Sequence, residues 1–364
     1  MSNNNEKMLD ISPRHTISVP GDHVVRACHE VYTEAQGDLV RWSFFRAFRM
    51  TWKEAAEFFD VDSGALSRVW RGKAQSDAEL EAVLKAAAAV REASGKNARP
   101  QFAPTSMARR IHHALEKALE LSDAGEGGFV FIGADAGSGK STVQRAFAQE
   151  NNHGRTCYWQ TDRIGGTKHI IQQLAALNNV NTYISYNDMI GRVQLCFDER
   201  RILLVDDAHK LVEGLQKNMP KLEYFLGLTD TTRCVVVFSA ALDRFGAALT
   251  ETNYNDRQFW RRCRYHEIVD DPATRKDVLA LWAFLCPRLN IPDELVTIYE
   301  AINAHAQGGF GKVASAIGDA RRWADRREER FDAKLALAVA SEQLNDLEKL
   351  ARVIGSPLRK IARR

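Results

Sequence analysis

Short apolar runs bounded by polar residues recur through the middle of the chain, and amphipathic stretches of helical spacing separate them. The runs fall at 129–132, Thr156–Gln160, Ile202–Asp206, 234–240 and 265–269, and they are rich in β-branched and aromatic residues. That pattern predicts five strands. Strands alternating with helices predict an α/β fold, with a parallel sheet covered by helices on both faces. Ahead of the first run, Thr105 or Ser106 can cap a helix reaching about Leu121, with Ile111, Ala114, Leu115, Ala118 and Leu119 on one face. From Pro272 onward no strand pattern recurs. This predicts a helical lid over 272–330 and a final helix over 331–364 that ends in Leu358, Arg359, Lys360, Ile361, Ala362, Arg363 and Arg364.

Upstream, residues 1–17 are polar and Asn-rich, the composition of a disordered lead-in. The stretch 92–104 carries Pro100 and Pro104, which exclude a continuous helix and mark a linker. Between them, 18–91 is expected to be an all-α domain, and 105–271 the α/β core. Within the all-α domain, residues 52–59, a turn at 60–62 and residues 63–73 have the spacing of a helix-turn-helix. Ala55, Phe58, Val61, Leu66, Val69 and Trp70 can pack the pair, and Ser63, Ser67, Arg68, Arg71 and Lys73 face outward from the second helix. Over 40–73 there are seven Lys or Arg against four acids. Such a face holds DNA phosphates better than it reads bases. A small helical domain with a solvated polar face that binds protein or nothing is the other reading of the same pattern.

Composition changes this picture little. A chain of 364 residues is long enough for two or three domains. Its net charge of +3 is too mild to signal nucleic acid by itself, so any DNA binding must come from local basic faces. The six cysteines are scattered with no C-x-x-C pair, as expected of reduced thiols in the cytoplasm. The N-terminus lacks an apolar signal segment, and no stretch approaches the roughly eighteen apolar residues of a membrane span, so a soluble intracellular protein without membrane contact is expected.

The chemistry begins where the first strand ends. Ala134, Asp135, Ala136, Gly137, Ser138, Gly139, Lys140, Ser141 and Thr142 match G-x-x-x-x-G-K-[ST], with Ala134 in place of the first glycine. Gly137 and Gly139 let successive backbone N–H groups turn inward toward phosphates, and the following helix adds its positive end. Lys140 can reach β- and γ-phosphate oxygens, and Ser141 can ligate Mg²⁺. ATP and Mg²⁺ are the ligands this implies. The run Ile202–Asp206 then delivers two acids to the end of a buried strand: Asp206 to hold Mg²⁺ through water, and Asp207 to orient or deprotonate the attacking water.

Val205, Asp206, Asp207, Ala208 and His209 resemble the D-E-A-H-type box of the AAA+ ATPases, with Asp207 where that family usually has Glu. The shorter side chain implies slow hydrolysis, or hydrolysis completed by a partner. The resemblance extends to residues 235–239, where Ser239 stands at the place of a polar sensor; a plain Ser closing a buried strand is the equal alternative. Residues 260–266 resemble the segment whose arginine is donated to a neighbouring subunit's nucleotide, making Arg262 the arginine-finger candidate and Arg261 its rival. Gly308, Gly309, Phe310, Gly311 and Lys312 resemble the start of the second-sensor helix, with Lys312 where the family uses Arg.

A helix-turn-helix ahead of such an ATPase resembles the phage Mu-type B transposition proteins, over about 52–324. The resemblance includes residues 76–84 and the lead-in 102–105. It implies a largely non-sequence-specific, ATP-dependent DNA-binding ATPase. Such a protein forms a homo-oligomeric filament or ring on duplex DNA, delivers that DNA to a transposase and stimulates it. Arg163 and Lys168, just after the second strand, sit where such relatives place DNA-facing loops. A helicase-loader ATPase shares nearly every one of these motifs. A nucleotide-gated transcriptional regulator with an operator-reading helix-turn-helix is a third reading.

Overall fold

In the computed structural model, the described residues are 17, 19–47, 50–96, 102–151, 154–162, 165–212, 220–251, 256–305 and 310–353. Expectations placed on 1–16, on the middle of the linker, on Arg163, on Gly308 and Gly309, and on the basic end at 358–364 fall outside them.

Five helices open the chain: α1 (Gly21–Glu30), α2 (Glu34–Ala47), α3 (Trp52–Phe59), α4 (Ser63–Trp70) and α5 (Asp77–Lys96). There follow α6 (Ser106–Asp123), β1 (Gly128–Ala134), α7 (Lys140–Glu150), β2 (Thr156–Gln160), α8 (Thr167–Leu177), α9 (Tyr186–Leu195) and β3 (Ile202–Asp206). Next come α10 (His209–Val212), α11 (Pro220–Thr232), β4 (Val235–Ala240), α12 (Leu242–Glu251), α13 (Asp256–Arg262) and β5 (Cys263–Val269). The chain closes with α14 (Arg275–Leu285), α15 (Asp293–His305), α16 (Phe310–Arg327) and α17 (Ala333–Val353). It divides into two compact units, one of Met1–Asn97, Asn152–Arg155 and Ile171–Cys196, the other of Ala98–Asn151, Thr156–Ile170 and Phe197–Arg364.

In the first unit, α3 and α4 form at the predicted positions because both ends are capped. Thr51 and Glu54 exchange backbone hydrogen bonds in a capping box (2.6 and 3.0 Å), and Asp62 accepts from the Ala65 N–H at 2.9 Å. Asp60 turns the chain between them in the left-handed region, at φ 52°. Ala55, Leu66, Val69 and Trp70 are buried as expected; Phe59 is the aromatic sunk in the core, while Phe58 and Val61 pack at its margin. Trp70 anchors this core, donating its indole N–H to Ser43 Oγ at 2.8 Å and packing edge-on against Phe44. The unit also takes in the chain after α8: Asn179 Nδ2 donates to the carbonyls of Ile17 and Val19 at 3.2 and 2.6 Å. Gly21 is required there, since a Cβ would stand 2.1 Å from the Asn178 carbonyl oxygen.

In the second unit, the five predicted strands form one parallel sheet in the order β2-β3-β4-β1-β5. Alternation along β1 separates two layers. Val130 and Ile132 join the α6 face and a core that continues through Val278 and Trp282 of α14 and Tyr299 of α15. Phe129 and Phe131 face the other way and meet an aromatic layer of Phe238, Phe245, Phe259 and Trp260, with ring centroids 5.0 to 6.2 Å apart. Each buried aromatic side chain contributes on the order of 1.5–3 kcal/mol by removal from water. Among the described residues no helix is long and apolar enough to cross a membrane.

One buried carboxylate ties the start of α6 to the start of α14. Asp277 accepts from the Ser106 N–H and hydroxyl at 2.6 and 2.9 Å, and from the Thr274 N–H and hydroxyl at 2.8 Å each. Burial pushes its pKa up, and these four donors outweigh that and hold it below the ordinary value. Asp277→Ala strands the donors and is expected to cost about 2–4 kcal/mol in denaturant unfolding. Because the folded pKa is depressed, the contribution is full above the ordinary carboxylate range and lost as pH falls through the folded value. The gap in melting temperature between wild type and variant therefore narrows in acid; a gap constant down to pH 3 would contradict the assignment.

Candidate nucleotide site

The loop after β1 owes its shape to two glycines. Gly137 and Gly139 lie at φ 81° and 92°, and Gly139 caps α7. A Cβ on Gly139 would meet no atom within 4 Å, so the backbone conformation rather than crowding demands glycine there. Ala134 is different. It is still in strand β1, buried and paired with Val269, and it is absent from the residues of positive φ. Its position needs no left-handed freedom, which explains why alanine serves where the motif has glycine.

Lys140 enters the loop from the first residue of α7. Its ammonium donates to the carbonyls of Ala134 and Asp135 at 2.6 and 2.7 Å, and to Ser138 Oγ at 3.4 Å. Burial lowers its pKa against the pull of Asp206, Asp135 and Asp207. Asp135, Ala136 and Gly137 are exposed at the loop's crest, Thr142 is exposed on α7, and Ser141 is half-buried beside Lys140.

The sheet order places β4 between β1 and β3, with Ile132 opposite Ser239 and Val205 opposite Phe238. Asp206, Ser239 and the phosphate loop therefore share one sheet edge. Asp206 is fully buried, and its Oδ1 accepts from Gln144 Nε2 of α7 at 3.3 Å and from the Asp207 N–H at 3.0 Å. Its Oδ2 accepts from the Tyr158 hydroxyl of β2 at 2.7 Å. Burial first, and Asp206 second, push the Tyr158 pKa up, so the phenol stays a donor.

Asp207 follows in the left-handed region at φ 57°. Its Oδ2 accepts from Lys210 Nζ at 2.7 Å and Gln160 Nε2 at 3.3 Å, and its carbonyl accepts from Thr161 Oγ1 at 2.7 Å. Burial raises the pKa of Asp207, and the Lys210 and Gln160 bonds overcome this and hold it low, in the form of a base. Ser239 Oγ and Gln144 Oε1 are buried and have no hydrogen-bond partner among the described residues. Together with Ser141 and Asp206 they form an all-oxygen donor set that suits a hydrated Mg²⁺ on a triphosphate.

The start of α16 lies close to the same loop. A Cβ on Gly311 would lie 3.1 Å from Gly137 Cα, so the start of α16 rests on the phosphate loop itself. Lys312, the next residue, is exposed there. Arg262 stands elsewhere. Its carbonyl oxygen borders Gly128, at the end of β1 remote from the loop. At about 3.3 Å per residue, β1 separates the two by roughly 20 Å. The Arg262 guanidinium forks onto Asp230 of α11 at 3.0 and 2.7 Å, and Arg261 is exposed beside it.

In the first unit Arg71 and Lys73 are exposed, and Ser63 and Ser67 are half-buried on α4. Arg68 departs from the expected outward face: its guanidinium pairs with Glu79, tying α4 to α5. Lys168 is exposed in the first turn of α8. The sequence pattern did not single out Gln144, Tyr158, Gln160 and Lys210 as contributors. Gln144, one helical turn after Lys140, carried a readable signal; the reach of Tyr158 depends on a register that sequence does not disclose.

No protein-family model matches the chain, and no curated protein does. Among solved structures, the ADP form of the Aeropyrum pernix ORC2 protein aligns over 68% of this chain and 71% of that one, at 13% identity and a TM-score of 0.53. Its ADPNP–ADP complexes align over 64% of this chain and 66% of that one, just under two thirds of its length, at 12% identity and a TM-score of 0.50. The Thermotoga maritima RuvB Holliday junction branch migration motor aligns over 64% and 68% at 16% identity, with a TM-score of 0.40 that adds no weight. Over the aligned part the fold is that of the ORC2 protein, with a parallel five-stranded sheet flanked by helices in this chain.

Ala134→Gly is expected to leave ATP affinity within about twofold while costing about 0.5–1 kcal/mol of stability, as glycine does inside a strand. Equilibrium binding of a fluorescent ATP analogue and denaturant unfolding measure the two; tighter binding by tenfold would show that the alanine distorts the loop.

Proposed function

We propose that the chain is an ATP-dependent, largely sequence-indifferent DNA-binding ATPase that assembles on duplex DNA and delivers it to a transposase. The separation of Arg262 from its own phosphate loop is the observation that carries this reading. A single chain holds both halves of a hydrolytic site at opposite ends of β1, and a second copy brings one half to the other. ATP then joins subunits, and hydrolysis parts them.

Within one site the loop N–H groups and Lys140 hold the phosphates, and Asp206 and Ser141 hold Mg²⁺. When bound, that ion would offset the negative charge that builds on the phosphate oxygens. Asp207, kept ionised by Lys210, accepts the proton of the attacking water, and Ser239 on the neighbouring strand holds the water or γ-phosphate. Lys312 adds positive charge from the lid. The Arg262 guanidinium of a neighbouring copy exchanges Asp230 for the γ-phosphate, a change between anions that its fixed fork suits.

Read as a helix-turn-helix, α3 and α4 supply the DNA side through Arg71, Lys73, Ser63 and Ser67, with Lys168 on α8 as a further phosphate contact. The mild net charge of +3 suits contacts confined to such a face.

Electron microscopy of the full chain with ATP and long duplex DNA is expected to show continuous coating without sequence preference, lost in Lys140→Ala. Persistent monomers, or dimers confined to one operator, would overturn the reading in favour of a regulator. Arg262→Ala is expected to lower DNA-stimulated ATP hydrolysis about a thousandfold. Mixing it with Lys140→Ala should restore turnover that neither has alone, since one supplies the loop and the other the arginine; a mixture as inactive as its parts would remove the shared site.

A further inference from the structure

Tyr158 lies on β2 in register with Leu204, two residues short of Asp206 on β3. Residues two apart on a strand share a face, and side chains lean along the strand. The phenol spans that offset and places its hydroxyl 2.7 Å from Asp206 Oδ2. The other carboxylate oxygen is committed to Gln144 Nε2 and the Asp207 N–H. A carboxylate offers about four acceptor positions, and three of the positions on Asp206 are filled by this chain. The remaining capacity is what a metal-bound water can use, and the three donors fix where it points.

We infer that Tyr158 is a positioning residue for Mg²⁺, acting through Asp206; this rests on reading the phosphate loop and Asp206 as a nucleotide–Mg²⁺ site. The hydroxyl holds Oδ2 and so fixes the carboxylate plane of a fully buried acid. Phenylalanine retains the ring's packing and loses that hold on Oδ2. Nucleotide affinity without the ion rests on the loop N–H groups and Lys140, and is independent of Tyr158.

The test uses the full chain and its Tyr158→Phe variant, reading affinity for a fluorescent ADP analogue as Mg²⁺ is titrated, with a parallel measurement in EDTA. The expected result is a Mg²⁺ requirement raised about tenfold or more, with affinity in EDTA unchanged. On an Asp206→Asn background the same substitution is expected to add nothing, because its effect runs through Asp206. A Mg²⁺ requirement within twofold of wild type overturns the inference about Tyr158, as does an equal loss with and without the ion. A wild-type affinity indifferent to Mg²⁺ overturns the underlying site reading instead, and the inference with it.

Discussion

Everything at the nucleotide site depends on one strand being where the chain order would not put it. By inserting β4 between β1 and β3, the parallel ladder sets the phosphate loop and the acidic pair two strand spacings apart, about 10 Å. That gap exceeds the reach of either motif's own short side chains. Gln144, on the helix that leaves the loop, spans it to Asp206 and gives the two motifs a direct connection. Ser239 on the inserted strand stands within the gap and contributes an unpartnered hydroxyl to it. A wider spacing would break the connection.

The sheet is held to this geometry from both faces. On one side α6 and the helices α14 to α17 share a continuous apolar core, with Asp277 pinning the first turns of α6 and α14 to one carboxylate. On the other, stacked and edge-on aromatic rings pack beneath α13 and so fix the segment that carries Arg261 and Arg262. The two halves of the proposed shared site thus hang from opposite ends of the same strand. Their separation is a property of the fold rather than of any loop.

Much of this was legible in the sequence, for identifiable reasons. Strands β1, β3 and β4, buried on both faces, leave uninterrupted apolar runs, while the half-exposed β5 was marked only by its β-branched and aromatic residues; the lateral order of the five leaves no local trace. The glycines of the loop were readable because positive φ is nearly their own, and the same logic inverted explains Ala134. Trp70, Leu66 and Val69 followed from helical spacing, whereas Phe59 displaced Phe58 because adjacent positions on a short helix differ only by its exact rotation. Arg68 could not be distinguished from its exposed neighbours, since its partner Glu79 lies beyond a turn. Tyr158, Lys210 and Gln160 became visible only once strand register and turn conformation were known.

The contact between Gly311 and Gly137 has a mechanical meaning. Two backbones approach closely there, so a side chain on Gly311 would press on the loop. From that contact α16 extends for 18 residues, about 27 Å. Its inner face is buried from Phe310 to Ala324, so the place of the loop is tied to the packing of the whole helix and not to its first turn alone.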